Sequence, residues 1–261
     1  MINKIYCGNA LEVLKGFPNN LIHLTVTSPP YNTGMNYGID DRKNYKKYLE
    51  YMKEVFKEVY RITIKGGRLA INLPSCILQS TKSKVSYMAI DYILFLRKIG
   101  WLEREIITWI KSFPTKVGKE WSILPPEHST SWGSYRSPSF PHLRDSSEFI
   151  IVMSKETHKL EGSKDKIDIS KEEFIAYSNN CWIFPPEKKY RKYHPAPFPE
   201  ELPKRLIKLY TYQNNIVLDP FCGTGSTCVV AKKLKRNYVG IDVVPKFVEL
   251  TKKRLSQEHL F

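Results

Sequence analysis

The sequence predicts a doubly wound, mostly parallel α/β sheet. Short runs rich in Val, Ile and Leu alternate along the chain with segments of helical periodicity. Two of those runs end in proline- or glycine-bearing turns, at the strand ends where ligands of open α/β sheets bind. A length of 261 residues suffices for one domain with a sizeable core.

Taken in order, Ile5 to Leu14 reads as a short strand, a turn at Gly8-Asn9 and a brief helix. Residues 21–27 alternate like a strand and run into Ser28-Pro29-Pro30-Tyr31, where two prolines without N–H donors force the chain out of the sheet. Residues 32–44 carry Gly34, Gly38 and a charged run, which suits either a lid over the site or a plain solvated connection. Tyr45, Tyr48, Leu49, Met52, Val55, Phe56 and Val59 then recur at helical spacing and read as core. Gly66-Gly67 is expected to end that helix before a buried strand over residues 68–73. A helix over residues 87–96 stops near Gly100, and residues 105–111 are strand-like.

From Ser112 to Ser147 prolines punctuate Trp121, Trp132, Tyr135 and Phe140, with Lys116, Lys119, Arg136 and Arg144 between them. Prolines preclude long regular elements there, while aromatic and basic groups suit contact with a nucleic-acid backbone and bases. Residues 149–153 return to the sheet. Residues 155–171 are charged, giving an exposed hairpin or a small recognition insert. The basic run 188–193 suits phosphate contact or a solvated face. A helix follows with Leu202, Leu206, Leu209 and Tyr210 on one side, then a buried strand over residues 217–219, and an amphipathic helix closes the chain.

Residues 217–227, Val-Leu-Asp-Pro-Phe-Cys-Gly-Thr-Gly-Ser-Thr, read as strand, glycine turn and helix, a grammar that lets backbone approach a nucleotide. No lysine follows Gly225, so the phosphate loop of a nucleotide triphosphatase is excluded. Cys228 stands where a dinucleotide motif needs its third glycine. Instead, Asp219 precedes the turn and could face a cationic amine, and Asp242, closing the next apolar run, could take two ribose hydroxyls. A ligand with a ribose, an ammonium and no phosphate is S-adenosylmethionine; the plain alternative is a tight turn in an ordinary sheet. At Ser28-Pro29-Pro30-Tyr31 a planar base could stack on Tyr31 while its amino group donates to Ser28 Oγ and the Pro29 carbonyl. By itself the tetrapeptide fits a partner-docking loop equally well.

Together, Ser-Pro-Pro-Tyr and the downstream Asp-Pro-Phe-Cys-Gly-Thr-Gly resemble the DNA amino-methyltransferases, specifically the permuted group in which the catalytic tetrapeptide precedes the cofactor motif. The resemblance covers nearly the whole chain. It implies that Ser28, Pro29, Pro30 and Tyr31 form the catalytic loop, and that Asp219, Phe221, Cys222, Gly223, Gly225 and Asp242 hold the cofactor. Asn9 and Ala10 match its adenine-contacting segment, with Asn9 in place of an acid, and Pro197 and Phe198 match pocket-lining positions. Trp109, Lys111, Arg136 and Arg144 correspond to its DNA-cleft segment. A serine opening the tetrapeptide is typical of cytosine-N4 enzymes, an aspartate of adenine-N6 enzymes. The resemblance implies residues 1–111 as catalytic half, 112–185 as DNA-cleft and recognition insert with one returning core strand, and 186–261 as cofactor half. The reaction expected is base flipping and direct in-line displacement, because no Pro-Cys pair offers the thiolate of a ring-carbon methyltransferase.

Charge fits that expectation: 41 Lys and Arg against 26 acids give a net +15, which points to a polyanionic partner or to a lysine-rich solvated surface. Five cysteines without a Cys-x-x-Cys pair suggest a reduced, cytoplasmic setting, and no apolar run approaches membrane length. Six histidines without ligand spacing suggest no metal. DNA is the expected partner, with a cognate restriction endonuclease sharing the target site. RNA or a protein glutamine as substrate, or a non-catalytic nucleic-acid-binding module, are the competing classes.

Overall fold

The computed structural model describes residues 1–34, 44–74, 77–78, 85–123, 136–139, 141, 145–194 and 196–257. Cys76, Trp132, Tyr135, Phe140 and Arg144, and most of the expected lid, lie outside them. The strands are β1 (Lys4–Cys7), β2 (Ile22–Thr27), β3 (Thr63–Leu73), β4 (Ile77–Leu78), β5 (Val85–Ser86), β6 (Trp101–Ile110), β7 (Pro114–Val117), β8 (Glu120–Ile123), β9 (Ser147–Lys155), β10 (Cys181–Ile183), β11 (Ile216–Asp219) and β12 (Asn237–Asp242). The helices are α1 (Ala10–Lys15), α2 (Tyr45–Ile62), α3 (Met88–Ile99), α4 (Lys171–Tyr177), α5 (Glu201–Tyr210), α6 (Ser226–Lys233) and α7 (Pro245–Gln257).

Eight strands form one sheet in the order β1-β12-β11-β2-β3-β9-β6-β10. All neighbours are parallel except β9, which runs antiparallel to both β3 and β6. Successive side chains of a strand face opposite ways, so the buried residues separate into two layers. Ile22, Leu69, Ile71, Ile151 and Leu218 pack against α1, α2 and α3 through Leu14, Met52, Phe56, Tyr92 and Leu96. Their neighbours Leu24, Val26, Ala70, Ile150, Val152 and Val217 pack against α5 and α6 through Leu202, Leu206, Val230 and Ala231. This is the doubly wound sheet the sequence predicts.

Local signals set the helix ends. Asn9 and Asn44 cap α1 and α2 by accepting the next free backbone N–H groups, and Gly100, at φ 115°, closes α3 in the left-handed conformation. One expected boundary is corrected. The helix α2 ends at Thr63, whose hydroxyl bonds the Val59 carbonyl, and Gly66-Gly67 lies inside β3. There the β2 pairing slips from Ile22↔Thr63 to Leu24↔Arg68, a bulge. A Cβ on Gly66 would sit 2.0 Å from the Lys159 carbonyl oxygen, so the glycine serves close approach rather than termination.

A second correction concerns residues 112–185. Two of their strands, β9 and β10, belong to the main sheet, and Trp182 is fully buried. The charged stretch after β9 forms no hairpin. Asp168 pairs with Arg236, the Gln213 N–H donates to the Lys166 carbonyl at 2.9 Å, and the Arg68 guanidinium donates to the His158 carbonyl at 2.9 Å. Gln213 and Arg236 stand just before β11 and β12, and Arg68 lies in β3 just after the Gly66-Gly67 bulge, so this stretch folds under the sheet, away from the carboxyl ends where the site lies. Among the described residues of this span, the β7–β8 hairpin follows β6 from the carboxyl end of the sheet, on the site's side.

Candidate active site

The strands β2 and β11 are adjacent and in register, Leu218 beside Thr25. Each leaves the sheet within the next three residues, β2 into Ser28-Pro29-Pro30-Tyr31 and β11 into Pro220-Phe221-Cys222-Gly223. Beyond β11 come β12 and β1, whose ends add Asp242 and Gly8-Asn9-Ala10. Four neighbouring strand ends therefore open onto one pocket. It is lined by Ser28 through Tyr31, by Gly8, Asn9 and Ala10, by Pro220 through Thr224, and by Asp242, Val243 and Val244. Ala196, Pro197, Phe198 and Ser226 close one side, with His194 and Phe247; Tyr48, Tyr51 and Met52 of α2 close another.

The lining is mostly apolar and aromatic; among the described residues its one carboxylate is Asp242, and no lysine or arginine lines it. In a chain of net charge +15 that composition disfavours a phosphate ligand and suits an amphipathic cation. Asp242 Oδ2 accepts the Gly223 N–H at 2.8 Å and Oδ1 accepts the Val244 N–H at 2.9 Å. Burial raises its pKa, while those backbone donors pull the other way. Gly223, at φ 48°, lies under the His194 ring: a Cβ there would be 2.9 Å from Nε2. His194 packs on Phe247 with ring centroids 4.7 Å apart, and burial lowers its pKa to about 4, so at neutral pH it adds no charge beside the pocket. From behind, Thr251 Oγ1 donates to the Gly223 carbonyl at 2.9 Å and Arg254 to the Thr224 carbonyl, which stiffens the turn.

Two expected cofactor residues do not line the pocket. Asp219 is buried and absent from the lining. Its Oδ1 accepts from Thr27 Oγ1 at 2.7 Å and the Phe221 N–H at 3.1 Å, and its Oδ2 accepts from Thr227 Oγ1 at 2.8 Å. It ties β2, β11 and α6 together instead of facing an amine. Gly225, at φ 82°, also stays behind the pocket, where a Cβ would meet Thr251 Cγ2 at 2.3 Å; its bareness admits α7. Asn9 reaches the pocket, but its Oδ1 already accepts from the Leu11 and Glu12 N–H groups and from the Tyr51 hydroxyl. Cys222 borders the pocket while its side chain packs with Ile5, Cys228 and Val229, and burial pushes its thiol pKa well up, so it stays neutral and unreactive.

Asp219 carries a pH signature. Burial pushes its carboxyl up to about 6 from the ordinary 3.8, against the hydroxyl and N–H donors around it. A raised folded pKa means that the native state holds the proton longer, so this contribution is full below the unfolded pKa and lost as pH rises through about 6. Asp219→Asn, which can donate to Thr227 and still accept from Thr27, should abolish that slope. The expected gain at neutral pH is about 2–3 kcal/mol. Denaturant midpoints of both proteins between pH 4 and 8 check it, and parallel slopes would contradict it; cofactor affinity should not change.

Against this geometry stand the comparisons. A family model described as N6_N4_Mtase, DNA methylase, matches residues 22–253. The chain belongs to the N6/N4 DNA methylase family. The Type II methyltransferase M.HpaI of Haemophilus parainfluenzae is 31% identical, over 99% of this chain and 76% of that protein. M.BglII of Bacillus subtilis is 27% identical over 98% and 70%. Among solved structures, the Thermus thermophilus protein TTHA0409, complexed with S-adenosyl-L-methionine, superposes with a TM-score of 0.77 at 27% identity, covering 98% of this chain and 93% of that one. The PvuII DNA methyltransferase (cytosine-N4-specific) shares the fold, with a TM-score of 0.73 at 22% identity, covering 96% and 85%.

In this DNA methylase the residues expected to meet DNA divide. Trp109 is buried, stacks on Phe184 at 5.3 Å and donates its indole N–H to the Phe184 carbonyl; it is core. Lys111 is held by Glu148 rather than extended into solvent. Arg136 is exposed in a turn at φ 57°. The hairpin exposes Trp121 with Lys116 Nζ 5.4 Å from its ring, and Lys188, Lys189, Arg191 and Lys192 are exposed just before His194. Sequence reasoning missed His194, Phe247 and the α2 face of Tyr48, Tyr51 and Met52. The i, i+3, i+4 spacing of that face was visible but signals core equally well. No helix among the described residues is long and apolar enough to cross a membrane, and none of their His, Cys, Asp and Glu groups could hold a metal.

Proposed function

We propose that this DNA methylase uses S-adenosylmethionine to methylate the exocyclic N4 amino group of cytosine in DNA. The observation that carries the reading is the shared pocket: the Ser28–Tyr31 loop and the Gly223–Asp242 pair line one cavity from adjacent strand ends. Asp242 would take the ribose hydroxyls, with Asn9, Ala10, Pro197, Phe198, Phe221 and Cys222 around the adenine and methionine. When bound, the cofactor supplies an electrophilic methyl group. Ser28 and the Pro29 carbonyl would accept the two amino hydrogens of a flipped base, holding its nitrogen for attack, and Tyr31 would give the ring an apolar wall. The serine at position 28 favours cytosine over adenine.

Residues 1–111 act here as the catalytic half and 186–261 as the cofactor half, with residues 112–147 and the basic run 188–192 on the DNA side. By likeness to type II methyltransferases, the product would protect a site cut by a cognate restriction endonuclease. DNA methylated with labelled cofactor and digested to nucleosides tests the reading. Label in N4-methylcytosine supports it. Label in N6-methyladenine overturns the base assignment, and label only in RNA or protein overturns DNA as substrate.

A further inference from the structure

A polar chain runs from the catalytic loop into the sheet. Ser28 Oγ lies 2.6 Å from the Tyr31 hydroxyl, which donates to the Asn72 carbonyl at 3.2 Å and accepts from Asn72 Nδ2 at 3.1 Å. The other Nδ2 hydrogen goes to Glu148 Oε2, and Glu148 Oε1 is held by Lys111. Asn72 is only 2% exposed, yet its Oδ1 has no hydrogen-bond partner among the described residues. A buried amide that leaves its acceptor unpaired weakens the fold, and such a concession is found where function requires it.

We infer that Asn72 and Glu148 are positioning residues for methyl transfer, acting on Ser28 through the Tyr31 hydroxyl. The inference rests on the functional reading above. A carboxylate accepts only, so Glu148 fixes the Asn72 amide with Nδ2 toward both itself and Tyr31. Either oxygen can donate in the short Ser28–Tyr31 contact; with the one Tyr31 hydrogen on the Asn72 backbone carbonyl, Ser28 is the donor. That leaves the Ser28 lone pairs for the hydrogens of the target amino group. Asn72 offers no titratable atom, so the chain orients the hydroxyls and carries no proton away. Glu148 and Lys111 flank the segment leading to the DNA side, which makes the ion pair an anchor for the acceptor loop rather than a phosphate contact.

The test is a double-mutant cycle on single-turnover methylation of DNA, with cofactor affinity by calorimetry and melting temperature alongside. Glu148→Gln and Asn72→Leu should each slow methyl transfer by roughly tenfold with cofactor affinity unchanged within about twofold. Asn72→Leu should also hold its melting temperature, because Tyr31 and Glu148 each keep another partner. In a Tyr31→Phe background, either change should cost no further rate, since the relay atom is already gone. Independent, multiplying losses in that background would overturn the inference, as would single variants with wild-type rates. Should Asn72→Leu fail to fold, the half-buried Glu148→Gln alone decides the cycle. Wild-type protein inert on DNA would instead overturn the functional reading.

Discussion

Asp242→Ala should raise the dissociation constant for S-adenosylmethionine by about 100-fold or more, roughly 3 kcal/mol, and abolish methylation at ordinary cofactor concentrations. Two losses combine. The ribose hydroxyls lose a charged acceptor, and the Gly223 and Val244 N–H groups that fold the turn around the cofactor lose theirs. Asp242→Asn should fall between, since an amide can accept from one of those N–H groups but not both. Affinity in the wild type should weaken on acidification, beginning above the pH at which an ordinary carboxylate titrates, because burial raises this one. Calorimetric titration of the three proteins checks the order; equal affinities would remove Asp242 from the cofactor site.

Tyr31→Ala should depress turnover by about 100-fold or more while leaving cofactor affinity near the wild-type value. The ring is buried at 9% exposure within the core layer under α2, and its hydroxyl braces Ser28. Truncation therefore also opens a cavity and should cost on the order of 3 kcal/mol of stability. Tyr31→Phe separates the two effects, keeping the ring and the fold while losing the brace. A Tyr31→Ala protein that melts early yet turns over normally would show that the tetrapeptide is structural.

The pocket itself was legible because each motif carries its own stop signal. Two prolines after β2 and a glycine turn after β11 both end strands at the ligand side, and parallel strands put those ends on the same edge. What the sequence concealed was decided by long-range partners. Asp219 reads as a ligand until Thr27, 192 positions away, and Thr227 claim its oxygens. The stretch after β9 reads as an insert because its charges look solvated; Arg236, 68 residues later, takes Asp168 and draws it under the sheet. Lys111 and Trp109 read as DNA contacts only through the family resemblance, and the neighbours that claim them, Glu148 and Phe184, come from β9 and the residue after β10. His194 carried no signal, since one histidine between a basic run and a proline is compatible with any surface loop.

The central claim is that one cavity joins methyl donor and acceptor, and a crystal structure of the protein with S-adenosylmethionine measures it directly. The ribose hydroxyls should lie on Asp242, with the sulfonium methyl directed toward Ser28 and Pro29, leaving the incoming nitrogen about 3–3.5 Å from the carbon it attacks. A cofactor seated on Asp242 with its methyl facing away from Ser28, or bound outside this cavity, would contradict the account.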